Sequence, residues 1–208
     1  MTDHSALEPI DTPDKLTDNE IQIVRLDAKD MPEAYIQQIV DKSRQEHVMK
    51  FEGHEDVGTE AEPGRFYNVE AYIKWATKGR TVYLMTKPRE DSDELDVGGI
   101  IWFGERKNEY APEHDTTFAI RNYDEDEEKG WSKFVGMGYG TPFMQATHED
   151  MAKTAPDKKI WLDVTEGNDA GYHLYQKVGY EETNRTPDPE HEDRCRITMV
   201  YAGKEKEK

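Results

Sequence analysis

The sequence predicts a single mixed α/β domain with a central, mostly antiparallel sheet and helices on both faces. A length of 208 residues suits one domain with a sizeable core. The apolar pattern gives the order strand, two helices, three strands, helix, strand, helix and two strands, and a glycine-rich loop leads straight into the third helix. The domain is expected over residues 20–202, between a flexible N-terminal tail at 1–19 and a disordered C-terminal tail at 203–208.

The first half of the domain is predicted to hold four strands and two helices. Ile21, Ile23 and Leu26 indicate the first strand, and Pro32 in a first helical turn indicates a helix that runs to about residue 49. Residues 51–65 are rich in Gly, Glu and Asp, which predicts a loop. The later elements of this half are a short helix that ends near Gly79 and strands at 81–86, 97–103 and 116–122.

The second half of the domain has the more regular pattern. Phe143, Met144, Thr147 and Met151 recur at helical spacing, which predicts a helix of about a dozen residues that opens straight out of the glycine-rich loop. Branched and aromatic residues predict a strand at 160–164. The next helix has Asn168 as its N-cap and Gly179 as its C-terminal cap. The last predicted elements are two strands, near 180–183 and 194–201.

Charge and cysteine content limit the functions that the chain can have. Asp and Glu outnumber Lys and Arg by 45 to 27, and a net charge of −18 repels phosphate backbones and anionic lipids, so we expect neither nucleic acid nor a membrane surface as partner. Cys195 is the one cysteine and cannot form an internal disulfide, and residues 1–10 lack the pattern of a secretory signal. The apolar stretch at 98–104 is far shorter than the roughly 20 residues that span a bilayer. A cytoplasmic location is expected.

The strongest local signal is the loop at 135–141, in which Gly136, Gly138 and Gly140 alternate with larger residues. Glycines let the backbone approach a ligand closely, and the start of the following helix presents unpaired N–H groups that suit a pyrophosphate. A plain turn between strand and helix explains the same glycines. A dinucleotide site with Asp163 as the ribose-binding acid is a further alternative, although the third glycine of that fingerprint is missing.

A second segment favours acyl transfer over these alternatives. It contains Asn168, Ala170 and the run Leu-Tyr-Gln-Lys-Val-Gly-Tyr at 174–180. Together with the glycine loop, it resembles the two hallmark segments of the Gcn5-related N-acetyltransferase superfamily. The strand led by Gly98 is similar to the central strand of that family. The resemblance covers about 97–183, and over 20–90 the order of elements agrees.

The resemblance implies a sheet splayed at its middle, with acetyl-coenzyme A between the strands at 116–122 and 160–164. Main-chain groups of the first of these strands would pair with the pantetheine arm like an added strand, and the loop would hold the pyrophosphate. The cofactor-binding residues implied in this way are Phe118, Ala119, Ile120, Arg121, Gly136, Met137, Gly138, Tyr139, Gly140, Thr141 and Asn168.

One position departs from the family pattern. Val135 stands where the family usually has Gln or Arg, a side chain that assists the pyrophosphate. We expect backbone N–H groups of the loop to bind the phosphates, with positive charge from Lys133 or Arg121. The acidic run at 124–128 must then project away from the phosphates, either as a solvated insertion or as an attraction for cationic substrates.

The resemblance also implies Tyr175 as a general acid whose hydroxyl points at the thioester sulfur. A leaving thiolate with a free pKa near ~8.5 departs more readily when a phenol protonates it, and packing under the sheet is the alternative role for this side chain. An ammonium acceptor must also lose a proton to a carboxylate or a water relay. Glu105 is the first candidate for that base, and Asp163 and Glu166 are the others.

These observations predict an N-acetyltransferase that moves an acetyl group from acetyl-coenzyme A to a primary amine by direct attack in a ternary complex. Two alternatives remain open: a non-catalytic acyl-coenzyme A-binding or interaction module on the same fold, and a dinucleotide-binding oxidoreductase. We expect a monomer or homodimer without a metal site, because no two of the seven histidines have metal-ligand spacing.

The acceptor is expected to be a small-molecule or peptide amine. The net charge of −18 favours a cationic one. Aromatic residues are candidates for the lining of its pocket, with core packing as the alternative, and they are Phe51, Phe66, Tyr67, Trp75 and Trp102.

Overall fold

An eight-stranded sheet is the central feature of the fold. The computed structural model describes residues 7–26, 31–52, 56–89, 94–123, 134, 136–188 and 191–203. The strands are β1 (Leu7–Pro9), β2 (Gln22–Leu26), β3 (Arg80–Pro88), β4 (Leu95–Glu105), β5 (Thr116–Asn122), β6 (Ile160–Thr165), β7 (Tyr180–Asp188) and β8 (His191–Tyr201). The helices are α1 (Asp14–Thr17), α2 (Glu33–Lys42), α3 (Glu46–Glu52), α4 (Val69–Ala76), α5 (Gly140–Thr154) and α6 (Asp169–Val178).

The strands lie in the order β1-β2-β3-β4-β5-β6-β8-β7. β2 is antiparallel to β1 and to β3, and β8 is antiparallel to β6 and to β7. β5 and β6, by contrast, pair in parallel. This mixed, mostly antiparallel sheet with helices between its strands confirms the predicted fold class.

The parallel pair is short. Thr116 pairs with Ile160 and Thr117 with Trp161, and within these two fully described strands the register ends there. β6 nevertheless continues to Thr165, so the strands separate after two paired residues. Main-chain groups of β5 beyond Thr117 are therefore not paired with β6.

The chain divides into two compact units, one of residues up to Trp102 together with Ile120–Thr147, the other of Phe103–Ala119 together with the residues from His148 onward. In the first unit, one face of α2 and five consecutive residues of β3, 82–86, are buried. In the second unit, aromatic side chains from a strand and two helices form the core, among them Phe118, His148 and Tyr175.

The N-terminal segment is ordered from Leu7, so the prediction of a tail over 1–19 is wrong for 7–19. Leu7 pairs with Leu26 across β1 and β2. Leu16 of α1 is fully buried, and its carbonyl accepts a hydrogen bond from the N–H of Ile21 at 3.0 Å. Strand pairing and a buried leucine hold a segment whose polar composition indicated a tail. Residues 1–6, like 204–208 of the predicted C-terminal tail, lie outside the described residues.

The helix predicted to run to about residue 49 is two helices, α2 and α3. The N–H of Arg44 donates to Asp41 and the N–H of Gln45 to Lys42, each three residues back, so the chain turns between the two helices. The other predicted helices and strands are present, and β7 continues to Asp188. Among the described residues, no helix has both the length and the apolar character needed to cross a bilayer.

Candidate active site

The glycine-rich loop passes through two left-handed residues before α5 begins. Gly136 has a φ of 79° and Gly138 a φ of 74°, which residues with side chains rarely adopt. A Cβ at Gly136 would meet nothing within 4 Å, and Gly136, Met137 and Gly138 are all exposed. The loop therefore presents main chain to open space at the start of a 15-residue helix, where N–H groups and the helix dipole suit an anion. Val135 lies outside the described residues.

Aromatic packing anchors this loop to the central strand. The ring of Tyr139 is buried and lies 6.4 Å from the ring of Phe134 in an edge-to-face arrangement. Phe134 in turn covers Gly98 of β4, where a Cβ would lie 2.0 Å from the Phe134 ring. The glycine of the central strand is thus needed to make room for the aromatic pair that holds the loop.

Lys15 of α1 contacts the loop, which the sequence analysis did not predict. Its Nζ donates a hydrogen bond to the carbonyl of Gly138 at 3.1 Å, and a Cβ at Gly138 would lie 2.8 Å from the same nitrogen. The two residues are 123 positions apart, so no local sequence pattern relates them. Because residues 1–19 were predicted to be a flexible tail, Lys15 was not among the candidate binding residues.

The guanidinium of Arg121 is buried and pairs with a carboxylate. It is 1% exposed and pairs with the carboxylate of Asp56, which also accepts a hydrogen bond from Arg65 at 2.6 Å. The Arg121 guanidinium carbon lies 4.0 Å from the centre of the Phe66 ring, a cation–π contact. The expectation that Arg121 supplies charge to the phosphates is therefore wrong, because Asp56 already engages it. Lys133, the other expected cation, and the acidic run at 124–128 lie outside the described residues.

Three of the five aromatic residues considered for the acceptor pocket form a packed cluster. The ring centres of Phe66, Trp75 and Trp102 lie 5.4–5.8 Å from one another, and Phe66 and Trp102 are buried. The burial of Phe66 and Trp102 agrees with the alternative of core packing, whereas Trp75 is half-buried and has the guanidinium groups of Arg65 and Arg80 over its ring. Tyr67 is half-buried, and the side chain of Phe51 lies outside the described part of the structure.

Tyr175 is held by a helix with well-defined ends. The side chain of Asn168 accepts a hydrogen bond from the N–H of Gly171 at 3.0 Å, and Gly179, with a φ of 111°, closes the helix in the left-handed conformation. The ring of Tyr175 packs edge-on against that of Phe118 of β5, with 6.4 Å between the ring centres, and Tyr175 is 8% exposed. The predicted caps of α6 are confirmed, and they fix the position of the tyrosine.

A buried histidine lies in the same aromatic cluster. His148 of α5 is 3% exposed, and its Nε2 is 2.7 Å from the hydroxyl of Tyr180. The ring of His148 lies 4.9 Å from that of Phe118, against which Tyr175 also packs. Burial raises the pKa of Tyr180 well above its usual range, and the neighbouring tyrosines Tyr175 and Tyr201 raise it further. Nothing in the spacing of the sequence singles out His148.

Structure comparison identifies the fold that carries this arrangement. AAC(6')-Ib in complex with paromomycin and acetyl-coenzyme A aligns over 82% of this chain and 89% of its own, with 18% identity and a TM-score of 0.55. A chimera of the spermidine N-acetyltransferase SpeG from Vibrio cholerae with hSSAT aligns over 88% and 95%, with 14% identity and a TM-score of 0.56. A GNAT-family acetyltransferase from Bacillus anthracis aligns over 92% and 96%, with 13% identity and a TM-score of 0.57.

The chain has the Gcn5-related N-acetyltransferase fold. Sequence comparison finds no matching family model and no matching curated protein. The all-parallel doubly wound sheet required by a dinucleotide-binding oxidoreductase is absent from the described strands, since most of them pair antiparallel.

The three candidate bases occupy different environments in this N-acetyltransferase fold. Glu105 is 77% exposed and accepts a hydrogen bond from Lys158 at 2.7 Å. Glu166 accepts one from the main-chain N–H of Cys195 at 3.0 Å. Asp163 is half-buried on β6 and accepts a hydrogen bond from the hydroxyl of Thr198 at 2.7 Å. Burial raises the pKa of Asp163, against the opposing effect of that hydrogen bond.

Asp163 also lines a cavity. The cavity has a volume of about 560 Å³, and its lining includes Trp161, whose indole N–H donates to the carbonyl of Arg106 at 2.8 Å. Arg106 and Arg196 bring positive charge to its wall. No cluster of three His, Cys, Asp or Glu side chains suited to a metal ion occurs within the described ranges.

Strand register places Asp163 and Tyr175 on opposite faces of the parallel pair. Thr117 and Trp161 are register partners, so they face the same side, and Asp163, two residues beyond Trp161, faces that side too. Phe118 follows Thr117 and therefore faces the other side, where it contacts Tyr175. The carboxylate of Asp163 and the phenol of Tyr175 thus lie on opposite faces of the β5–β6 pair, close to the point where the two strands separate.

Proposed function

We propose that the chain transfers an acetyl group from acetyl-coenzyme A to a primary amine on a small molecule. The observation that carries this proposal is the exposed loop with left-handed glycines at Gly136 and Gly138, which leads into α5. The separation of β5 from β6 after two residues supports it. One structural neighbour is AAC(6')-Ib in complex with paromomycin and acetyl-coenzyme A, and another is a chimera of the spermidine N-acetyltransferase SpeG. Both are consistent with an amine acceptor.

Each of the two units offers groups that would suit a part of acetyl-coenzyme A. The loop from Gly136 to Thr141 offers main-chain N–H groups and open space to a pyrophosphate, and β5 offers main-chain groups beyond Thr117 to a pantetheine arm. Asn168, already engaged as a helix cap, is the remaining predicted contact. When bound, the thioester supplies an activated acetyl carbon for the amine to attack.

Tyr175 is the proposed general acid. As nitrogen replaces sulfur on the acetyl carbon, the Tyr175 hydroxyl gives a proton to the departing sulfur. The ammonium group gives up two protons in becoming an amide. One reaches the base and the other restores Tyr175, so that the reaction releases one proton overall. The packing of Tyr175 against Phe118 orients the ring for this transfer.

Asp163 is the better-placed base of the three carboxylates. It lines a cavity, and its raised pKa makes it more basic than an exposed aspartate. It also lies on the face of the β5–β6 pair opposite Tyr175. The base would therefore act on the amine from one side, and the acid on the leaving sulfur from the other. Glu105 is paired with Lys158 and exposed, which makes it the weaker candidate.

Two measurements test the proposal. Calorimetric titration with coenzyme A and with a nicotinamide dinucleotide establishes which cofactor binds, and we expect binding of coenzyme A. Thiol release from acetyl-coenzyme A over a panel of amines, from polyamines and aminoglycosides to amino acids and basic peptides, then establishes transfer. Coenzyme A binding without thiol release from any amine would favour a non-catalytic acyl-coenzyme A-binding module. Binding of the dinucleotide alone would contradict the proposal.

A further inference from the structure

The glycine loop carries no positive charge of its own. Residues 136–141 are Gly-Met-Gly-Tyr-Gly-Thr, and Val135 precedes them. A pyrophosphate carries negative charge that backbone N–H groups alone neutralise only in part. A cation from elsewhere in the chain would therefore strengthen binding. Arg121, the predicted source that lies within the described residues, is buried and paired with Asp56.

Lys15 is a cation at this loop. Its Nζ donates a hydrogen bond to the carbonyl of Gly138 at 3.1 Å. A lysine ammonium has three N–H donors, and the bond to Gly138 uses one of them. Since the side chain of Lys15 is exposed, the remaining donors can reach a ligand on the loop.

The backbone around Lys15 is held in place. The next residue, Leu16, is fully buried, and the side-chain amide of Asn19 donates to the carbonyl of Lys15 at 2.8 Å. β1 is paired with β2 just before this turn. An ordered attachment reduces the entropy lost when the lysine engages a ligand.

We propose that Lys15 binds the pyrophosphate of coenzyme A and supplies the charge that Val135 does not. This inference rests on the proposed function, because it concerns the same cofactor site. It makes the segment from β1 to α1 part of the cofactor site. The N-terminal segment would thus contribute to binding as well as to folding.

Calorimetry on four proteins tests the inference: wild type, Lys15→Met, Lys15→Arg and Lys74→Met. Lys74, on α4 of the same unit, is also exposed and gives the same change in net charge. Each is titrated with coenzyme A and with dephospho-coenzyme A, which keeps the pyrophosphate and lacks the 3′-phosphate. We expect Lys15→Met to weaken binding of both ligands about tenfold, the loss of one charge-assisted hydrogen bond. Lys15→Arg should retain most of the affinity, and Lys74→Met should match wild type.

The other outcomes are distinct. A loss confined to coenzyme A would assign Lys15 to the 3′-phosphate and overturn the pyrophosphate contact. Equal affinities of Lys15→Met and Lys74→Met would overturn any role of Lys15 in binding. Wild-type protein that binds neither ligand would refute the proposed function itself. Melting temperatures measured on the same samples separate lost contacts from lost structure.

Discussion

Individual residues carry the proposed chemistry, and their surroundings decide which of them can act. Tyr175 is packed against Phe118 and is 8% exposed, so its ring is fixed while a small part stays accessible. Asp163 has a raised pKa and lines a cavity, whereas Glu105 is tied to Lys158 at the surface. Sequence position alone ranked Glu105 first, and we propose the reverse order because of the burial of Asp163 and the pairing of Glu105.

Tyr175→Phe tests the acid. The ring still fills its place, so we expect the fold and the affinity for coenzyme A to be kept. General-acid contributions of about 10² to 10⁴-fold predict a single-turnover rate lower by that factor, or roughly 3 to 5 kcal/mol of barrier. Single-turnover acetyl transfer is the measurement, because product release can limit the steady-state rate. An unchanged rate in the Phe variant would leave Tyr175 with a packing role only.

Asp163→Asn tests the base, with Glu105→Gln as the matched control. We expect kcat/KM to fall by about 10² to 10⁴-fold in the first variant and to change little in the second. In the wild type, kcat/KM should fall as the pH drops through the pKa of Asp163, since protonation removes the base. Because that pKa is raised, the decline begins at a higher pH than an exposed aspartate would give. A large loss in Glu105→Gln alone would assign the base to Glu105.

Asp163→Asn is expected to lower kcat/KM without lowering the thermal stability of the protein. A pKa raised in the folded state means that folding disfavours the charged carboxylate, so its contribution to stability falls as the pH rises through that pKa. We therefore expect the Asn variant to melt no lower than wild type at neutral pH. Thermal unfolding measured at several pH values separates this effect from the kinetic one. A melting temperature well below that of wild type would indicate that the hydrogen bond from Thr198 outweighs the burial of charge.

At the level of elements, the fold brings distant segments to one loop. α5 starts at the glycine loop, and Phe134 packs over Gly98 of β4. Lys15 of α1 donates a hydrogen bond to the carbonyl of Gly138 in the loop. The predicted strands are present because runs of apolar, branched and aromatic residues mark buried strands, such as β4, which is buried over nearly its whole length. The break between α2 and α3 and the order of the N-terminal segment were missed, since neither leaves a periodic apolar signal.

Deleting residues 1–19 tests the structural role of β1 and α1. The deletion exposes the edge of β2 and removes the buried Leu16, so we expect a clear loss of stability. Loss of a buried leucine side chain alone costs about 2 to 5 kcal/mol, which Leu16→Ala measures in the full-length chain. Urea unfolding is the measurement, and deletion of 1–6, which precede β1, is the control. Equal stability of the two deletion variants would restore the interpretation of 7–19 as a tail.

For the whole molecule, the acidic charge is the main property that bears on the acceptor. A net charge of −18 attracts cations over long range, and Asp163 adds a local carboxylate at a cavity. Arg106 and Arg196 lie on the wall of that same cavity, so its local charge is mixed. The overall charge is therefore expected to govern the encounter with a cationic acceptor.

Salt dependence tests this steering. With acetyl-coenzyme A saturating, kcat/KM for a polycationic amine should fall about tenfold or more between about 0.01 M and about 0.5 M ionic strength. The kcat should change little, because steering acts on association. An uncharged aromatic amine serves as the control acceptor and should show a much smaller effect. A flat response for the polycation, or a preference for an acidic acceptor, would exclude electrostatic steering.

The sequence by itself determined the fold class, the glycine loop, the caps of α6 and the acidic charge. These properties follow from composition or from residues close together in the chain, where spacing and turn chemistry act. The tertiary structure decided the rest of the candidate site. It directed Arg121 to Asp56 across 65 positions and Lys15 to Gly138 across 123. Such contacts depend on the packing of whole elements, which local spacing does not specify, so only the folded chain assigns these side chains their partners.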